Sequence, residues 1–147
     1  MKRGNRMIAQ FTLTVPEGKR FIAKAVASMP PVRRARFSGK VLLKGGTTVS
    51  AVSEEIGGPP LRISGRITPD GARAAADNSD PHCIVIEKGT ATPVDDKLEL
   101  TVESMGPRDV AIIGANLIDH QGGAAILAGG PLGGAAGKII SGLAAQG

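Results

Sequence analysis

Val41-Leu42-Leu43-Lys44-Gly45-Gly46-Thr47-Thr48-Val49-Ser50-Ala51-Val52-Ser53-Glu54-Glu55-Ile56 decides how the chain is read. A short apolar run suits a buried strand, a glycine pair turns the chain, and Val49, Val52 and Ile56 then recur at helical spacing. The run ends at Gly57-Gly58-Pro59-Pro60, a helix stop followed by proline. A strand that passes through glycines into a helix leaves backbone amides free at the turn. The helix dipole adds partial positive charge there, and the missing side chains let an anion approach. Lys44 can supply charge, and Thr47, Thr48 and Ser50 can donate hydroxyls. The simpler reading is that Gly45 and Gly46 only permit a tight turn and that Thr47 or Thr48 caps the helix.

Toward the amino terminus, Phe11 and Leu13 alternate with polar residues, so Met7 to Thr14 suits a strand or arm. Thr14-Val15-Pro16-Glu17 has capping-box spacing, and Phe21, Ile22, Ala25, Val26 and Met29 share a face. A leading helix over 16–29 is expected, with Lys19, Arg20 and Lys24 on its wet side, ended by Pro30-Pro31. Toward the carboxyl terminus, Leu61 to Ser64 reads as a strand and Thr68-Pro69-Asp70 as the start of a short Ala-rich helix through Ala76. His82 to Ile86, Leu98 to Val102 and Asp109 to Ile113 read as further strands. A glycine-rich segment from Gly122 leads to a final helix. Strands alternating with helices predict a single α/β domain over 1–147, with an arm over 1–15 and a core over 40–147. The expected architecture is Rossmann-like: a three-layer α/β/α arrangement with a mainly parallel sheet, its ligand beyond the carboxyl ends of the strands.

Composition bounds the function. The chain has 147 residues, 41% hydrophobic and 21% charged, with three Phe and no Trp or Tyr, so base-stacking nucleic-acid modules are disfavoured. A formal charge of +5 fits anionic ligands, but the Lys and Arg residues are scattered, and Arg33, Arg34 and Arg36 form no legible helix-turn-helix. Nucleic acid is therefore not the expected partner. The lone Cys83 makes no internal disulfide and no zinc cluster is visible. No signal core and no membrane span can be read, so a cytoplasmic address is expected. Gly-x-Gly-x-x-Gly and Gly-x-Ser-x-Gly are absent; Gly137-Lys138 lacks the other residues of a Walker loop, with Leu132 and Ile139 where Gly and a hydroxyl belong.

Asp119 and His120 follow a strand end and are candidates to move a proton, with Asn116 as an oxyanion donor; the alternative is a polar turn into Gly122-Gly123. His82-Cys83 reads as structural, and Asp95-Asp96 as a solvated turn.

Together the leading helix, the 41–56 motif and Asp109-Val-Ala-Ile-Ile-Gly-Ala-Asn-Leu-Ile-Asp119 with Gly122-Gly123 resemble the superfamily of ribose-5-phosphate isomerase, glucosamine-6-phosphate deaminase and CoA transferases, over roughly residues 16–142. The resemblance implies a sugar-phosphate or CoA-ester site. It would be formed by Lys44, Gly45, Gly46, Thr47, Thr48 and Ser50, walled by Gly114, Ala115, Asn116, Asp119, Gly122 and Gly123. The isomerases carry Asp-Gly-Ala-Asp-Glu and then Lys-Gly-Gly-Gly; here Ile113 and Asn116 replace the two Asp, and Ala128 the Lys, while Asp119 persists. Neither Ile nor Asn titrates usefully, so a non-catalytic anion-binding domain is expected, with no cofactor and no metal. The alternatives are a divergent enzyme and an assembly or regulatory subunit with a vestigial site. The family sheet has a further strand after its last helix, so an open edge is expected here. The Met7–Thr14 segment would fill such an edge in its own sheet or a partner's, which makes a homodimer the expected oligomer.

Overall fold

The computed structural model describes residues 8–76 and 79–146. Helix α1 (Val15–Ser28) begins where the Glu17 carboxylate reaches back to accept from the Thr14 backbone N–H at 2.8 Å and from its hydroxyl at 2.6 Å. Those two bonds hold the Glu17 carboxyl below the usual carboxylate range. Met29, extended before Pro30, separates α1 from α2 (Pro30–Ser38). Strand β1 (Lys40–Lys44), helix α3 (Thr47–Glu55), the hairpin β2 (Gly65–Thr68) and β3 (Gly71–Ala74), and the hairpin β4 (Cys83–Glu87) and β5 (Thr90–Pro93) follow. Then come α4 (Leu98–Glu103), β6 (Val110–Ile112), the small hairpin β7 (Leu117–Ile118) and β8 (Ala124–Ala125), and α5 (Gly134–Gln146).

The expected mainly parallel, Rossmann-like three-layer fold is not what forms. The main sheet has the order β5-β4-β1-β6, and only β1 and β6 run parallel; β1 with β4 and β4 with β5 are antiparallel. The two other hairpins make separate two-stranded antiparallel sheets. This is a small mixed α/β protein with five α-helices among the described residues. Two local readings contributed to the difference. The alanines of 71–76 do not form a helix, because Pro69-Asp70-Gly71 is turn chemistry and closes a hairpin in which Arg66 faces Arg73 and Ile67 faces Ala72. Leu98 to Val102 is not a strand but α4: its apolar residues alternate in sequence as a strand would, yet Leu98 and Val102, four apart, are buried while Leu100 between them is out in solvent, which only the helical period allows. Leu61–Ser64, read as a strand, is irregular, although the Arg62 N–H still donates to the Pro81 carbonyl at 2.9 Å.

The sheet is apolar on both faces. Val41, Leu43, Ile84 and Ile86 pack with Ala23, Ala35, Val49 and Val52 of α1 to α3. Leu42, Cys83 and Val85 pack on the other face with Leu98, Val102 and Ile139 of α4 and α5. Burial of this kind contributes about 1.5–3 kcal/mol for each large aliphatic side chain. α5 is pinned by an ion pair of 2.6 Å from Lys138 to Glu99 and by Gln146, which donates to the Val102 carbonyl at 2.9 Å.

The expected edge-filling by the amino-terminal segment fails within this chain. Residues 8–14 form no strand and are exposed, Met7 lies outside the described residues, and Phe11 instead meets Phe21 of α1 edge-on with centroids 6.1 Å apart. β6 is left as an outer strand of the sheet. No helix among the described residues is long and apolar enough to cross a membrane.

Candidate functional site

Because β1 and β6 are parallel, with Leu43 beside Ile112, both strands leave the sheet at the same end. β1 turns through Gly45-Gly46 into α3, and β6 continues into Gly114-Ala115-Asn116. Between these turns lies a cavity of about 780 Å³, a size typical of small-molecule sites. Lys44, Gly45, Gly46, Thr47 and Thr48 line it, and so do Gly114, Ala115 and Asn116. Eight of the residues expected at the site thus meet around one space.

The α3 N-cap is Gly46, in extended conformation, with no side-chain hydrogen bond at the cap. Neither Thr47 nor Thr48 caps the helix; they are its first two residues, half-buried at the cavity. The first backbone N–H groups of α3 therefore lack the internal partner that a capping oxygen would supply. Lys44, the last residue of β1, is half-buried beside them. Desolvation holds its ammonium pKa below the ordinary lysine value, against a smaller opposing effect of Cys83. A nearby anion would restore what that desolvation removes.

Gly45 fixes the shape of the turn. Its N–H donates to the His82 carbonyl at 2.6 Å, and a Cβ there would overlap the Arg62 carbonyl oxygen. His82 in turn donates from Nδ1 to that same Arg62 carbonyl at 2.8 Å, so the loop, the 61–64 segment and the start of β4 are mutually fixed. Asp95 is not a free solvated turn. Its two carboxylate oxygens accept from the backbone N–H groups of His82 at 2.9 Å and Cys83 at 3.0 Å. Cys83 is buried, and burial, aided by the Asp95 charge, pushes its thiol up to about 12, so it stays a protonated apolar filler.

Burial also lowers the His82 pKa below 6.5, with Lys44 and Arg62 adding to the effect and the Arg62 carbonyl and Asp95 opposing it. The folded chain therefore resists a proton that the unfolded chain accepts. That favours folding at pH values above the unfolded value of about 6.5, and the contribution is lost as pH falls through the depressed folded value. Urea titrations at pH 7.5 and 5.5 should show a smaller stability loss in His82→Asn, which keeps a donor near Nδ1, than in the wild type; equal losses would refute this assignment.

The remaining expected residues lie elsewhere. Ser50 is half-buried in α3 and donates its backbone N–H to the Gly46 carbonyl at 2.8 Å, but it does not line the cavity. Asp119, Gly122 and Gly123 belong to the turn between β7 and β8, where Asp119 Oδ1 accepts from the N–H groups of Gln121 at 2.8 Å and Gly123 at 2.7 Å. Asp119 is thus engaged in shaping its own turn. His120 is exposed in that turn. Asn116 does reach the cavity, but its Oδ1 accepts from the Leu127 N–H at 2.9 Å, so its amide NH₂ is the group it can offer a ligand. The proposed acid-base pair and the oxyanion donor are therefore not brought together.

Lys19 of α1 and Arg66 and Arg73 of the β2–β3 hairpin also line the cavity. Lys19 reads in the sequence as part of the wet face, and the hairpin arginines are hidden by reading 68–76 as a helix. The available signal was Pro69-Asp70-Gly71 between two short runs, each bearing one arginine. Among the described residues, no group of three or more His, Cys, Asp and Glu could hold a metal ion. The chain matches no family model, no curated protein and no solved structure.

Proposed function

We propose that this domain binds a phosphorylated or otherwise anionic small metabolite in the cavity at the carboxyl ends of β1 and β6, without catalysing its conversion. One observation carries the reading: among the described residues, every charged residue lining the cavity is cationic, namely Lys19, Lys44, Arg66 and Arg73. Hydroxyls from Thr47 and Thr48 and the uncapped start of α3 supply neutral donors at the same place. The ligand class suggested by the superfamily resemblance, a sugar phosphate or a CoA ester, is compatible with this chemistry. A divergent enzyme is the weaker reading, because Asp119 is not among the residues lining the cavity and, among the described residues, no carboxylate lines it.

The test is a thermal-shift screen of sugar phosphates, nucleotides, CoA esters and inorganic phosphate on the wild type and on Thr47→Val/Thr48→Val. A ligand present at 100 times its dissociation constant stabilises the native state by about 2.7 kcal/mol. A stabilisation that disappears in the double variant is the expected result. Absence of any shift with every anion would sink the reading and favour an assembly subunit, for which the outer strand β6 and the exposed Leu117 and Ile118 would matter more.

A further inference from the structure

Arg66 and Arg73 are directly opposite one another in the β2–β3 ladder. Directly opposed residues project from the same face of a hairpin with their Cβ atoms roughly 4.5–5.5 Å apart, and like charges in that relation repel. Within the hairpin, Asp70 offsets part of that repulsion. Among the described residues, the anionic contact to these arginines is from Asp70 to Arg73 at 3.8 Å between two well-exposed side chains, a geometry that contributes little, and the same exposure screens the repulsion to a similar scale. The neighbouring rung of the ladder, Ile67 and Ala72, carries no charge; residues of both rungs, the two arginines among them, line the cavity.

From this juxtaposition we infer that Arg66 and Arg73 form a second anion subsite, so that the ligand carries two anionic groups, one at Lys44 and the start of α3 and the other between the two guanidiniums. The inference rests on the anion-binding reading above and adds the ligand's charge pattern to it. Two guanidinium forks directed at one phosphate relieve their mutual repulsion only while it is bound. The two cationic groups are carried by different elements, β1–α3 and the β2–β3 hairpin, around a space far larger than one phosphate requires.

Isothermal titration with four probes tests this: inorganic phosphate, pyrophosphate, fructose 6-phosphate and fructose 1,6-bisphosphate. Each is titrated into the wild type, Arg66→Gln/Arg73→Gln and Thr47→Val/Thr48→Val, with the melting temperature of each free protein measured alongside. The wild type should bind at least one of the doubly anionic probes about tenfold or more tighter than its singly anionic counterpart. Arg66→Gln/Arg73→Gln should abolish that preference and leave phosphate and fructose 6-phosphate binding within about twofold, as expected where charge-assisted hydrogen bonds to a second group are lost. Its melting temperature without ligand should be unchanged or raised, since a repulsive pair has been removed. Equal weakening of mono- and diphosphates would mean one shared phosphate site and would overturn the second subsite. So would a wild type with no preference for two anionic groups, or a lowered melting temperature in the arginine variant. Phosphate binding that is lost in Thr47→Val/Thr48→Val would still support the broader reading in those cases, whereas no binding of any probe to the wild type would overturn both.

Discussion

Gly45→Ala is expected to lower stability by about 3 kcal/mol or more, the upper end of what overpacking costs. The added methyl would overlap the Arg62 carbonyl oxygen and lie 2.8 Å from His82 Nδ1 and 2.9 Å from the His82 carbonyl oxygen. Two of these three neighbours are backbone atoms, and neither can withdraw cheaply. The Arg62 carbonyl accepts from His82 Nδ1, and the His82 carbonyl accepts from Gly45 itself. Relief would require the 61–64 segment to lift from the loop, carrying with it the hairpin that walls the cavity. Urea denaturation should show the loss as a shifted midpoint at nearly unchanged slope. Gly46→Ala is the control: an added Cβ there meets only Val49 Cγ2, at 4.0 Å. Wild-type stability in Gly45→Ala would mean that the 61–64 segment does not rest on this loop.

The second large effect is expected at Asp95. Its carboxylate satisfies the backbone N–H groups of His82 and of the buried Cys83, at the point where β4 enters the sheet. Hydrogen bonds to a charged acceptor contribute about 1.5–3 kcal/mol each, and an amide left unpaired beside a buried residue adds a desolvation cost. Asp95→Ala should therefore lose about 3 kcal/mol in urea denaturation, taking one bond at full strength and the other, nearer solvent, at less. Asp95→Asn keeps one good acceptor and should lose roughly half as much. An alanine variant within about 0.5 kcal/mol of the wild type would show that water replaces the carboxylate.

Sequence pattern and structure part company at identifiable places. β1 and β6 are legible because each is a compact apolar run bounded by glycine or charge, α3 because Val49, Val52 and Ile56 recur at helical spacing, and the loop of Lys44 to Thr48 falls where its glycine pair puts it. Strand direction is not legible in that way. Expecting helical crossovers forces parallel pairing, but β4 and β5 are joined by Lys88-Gly89, both at positive φ, a two-residue turn that can connect only antiparallel neighbours. Thr90–Pro93 carries too little apolar residue to announce a strand. The carboxylates mislead for a related reason: Asp95 and Asp119 are acceptors for nearby backbone N–H groups, a role that leaves no periodic trace. The hairpin arginines are found only once 65–74 is known to fold back on itself.

The parallel pairing of β1 with β6 has a further consequence, for when the cavity comes into being. Its two turns belong to strands far apart along the chain: at the start of the pairing the Lys40 N–H donates to the Asp109 carboxylate, 69 residues away, at 2.7 Å. Closing so long a stretch costs chain entropy before any contact returns it, and such non-local pairings slow folding. A nascent or partly unfolded chain can own β1, α3 and the hairpin and still have no cavity, because Gly114 to Asn116 arrive only with β6. The anion binding proposed above would therefore be confined to the fully assembled sheet, and occupancy would report the integrity of the whole fold rather than of one loop.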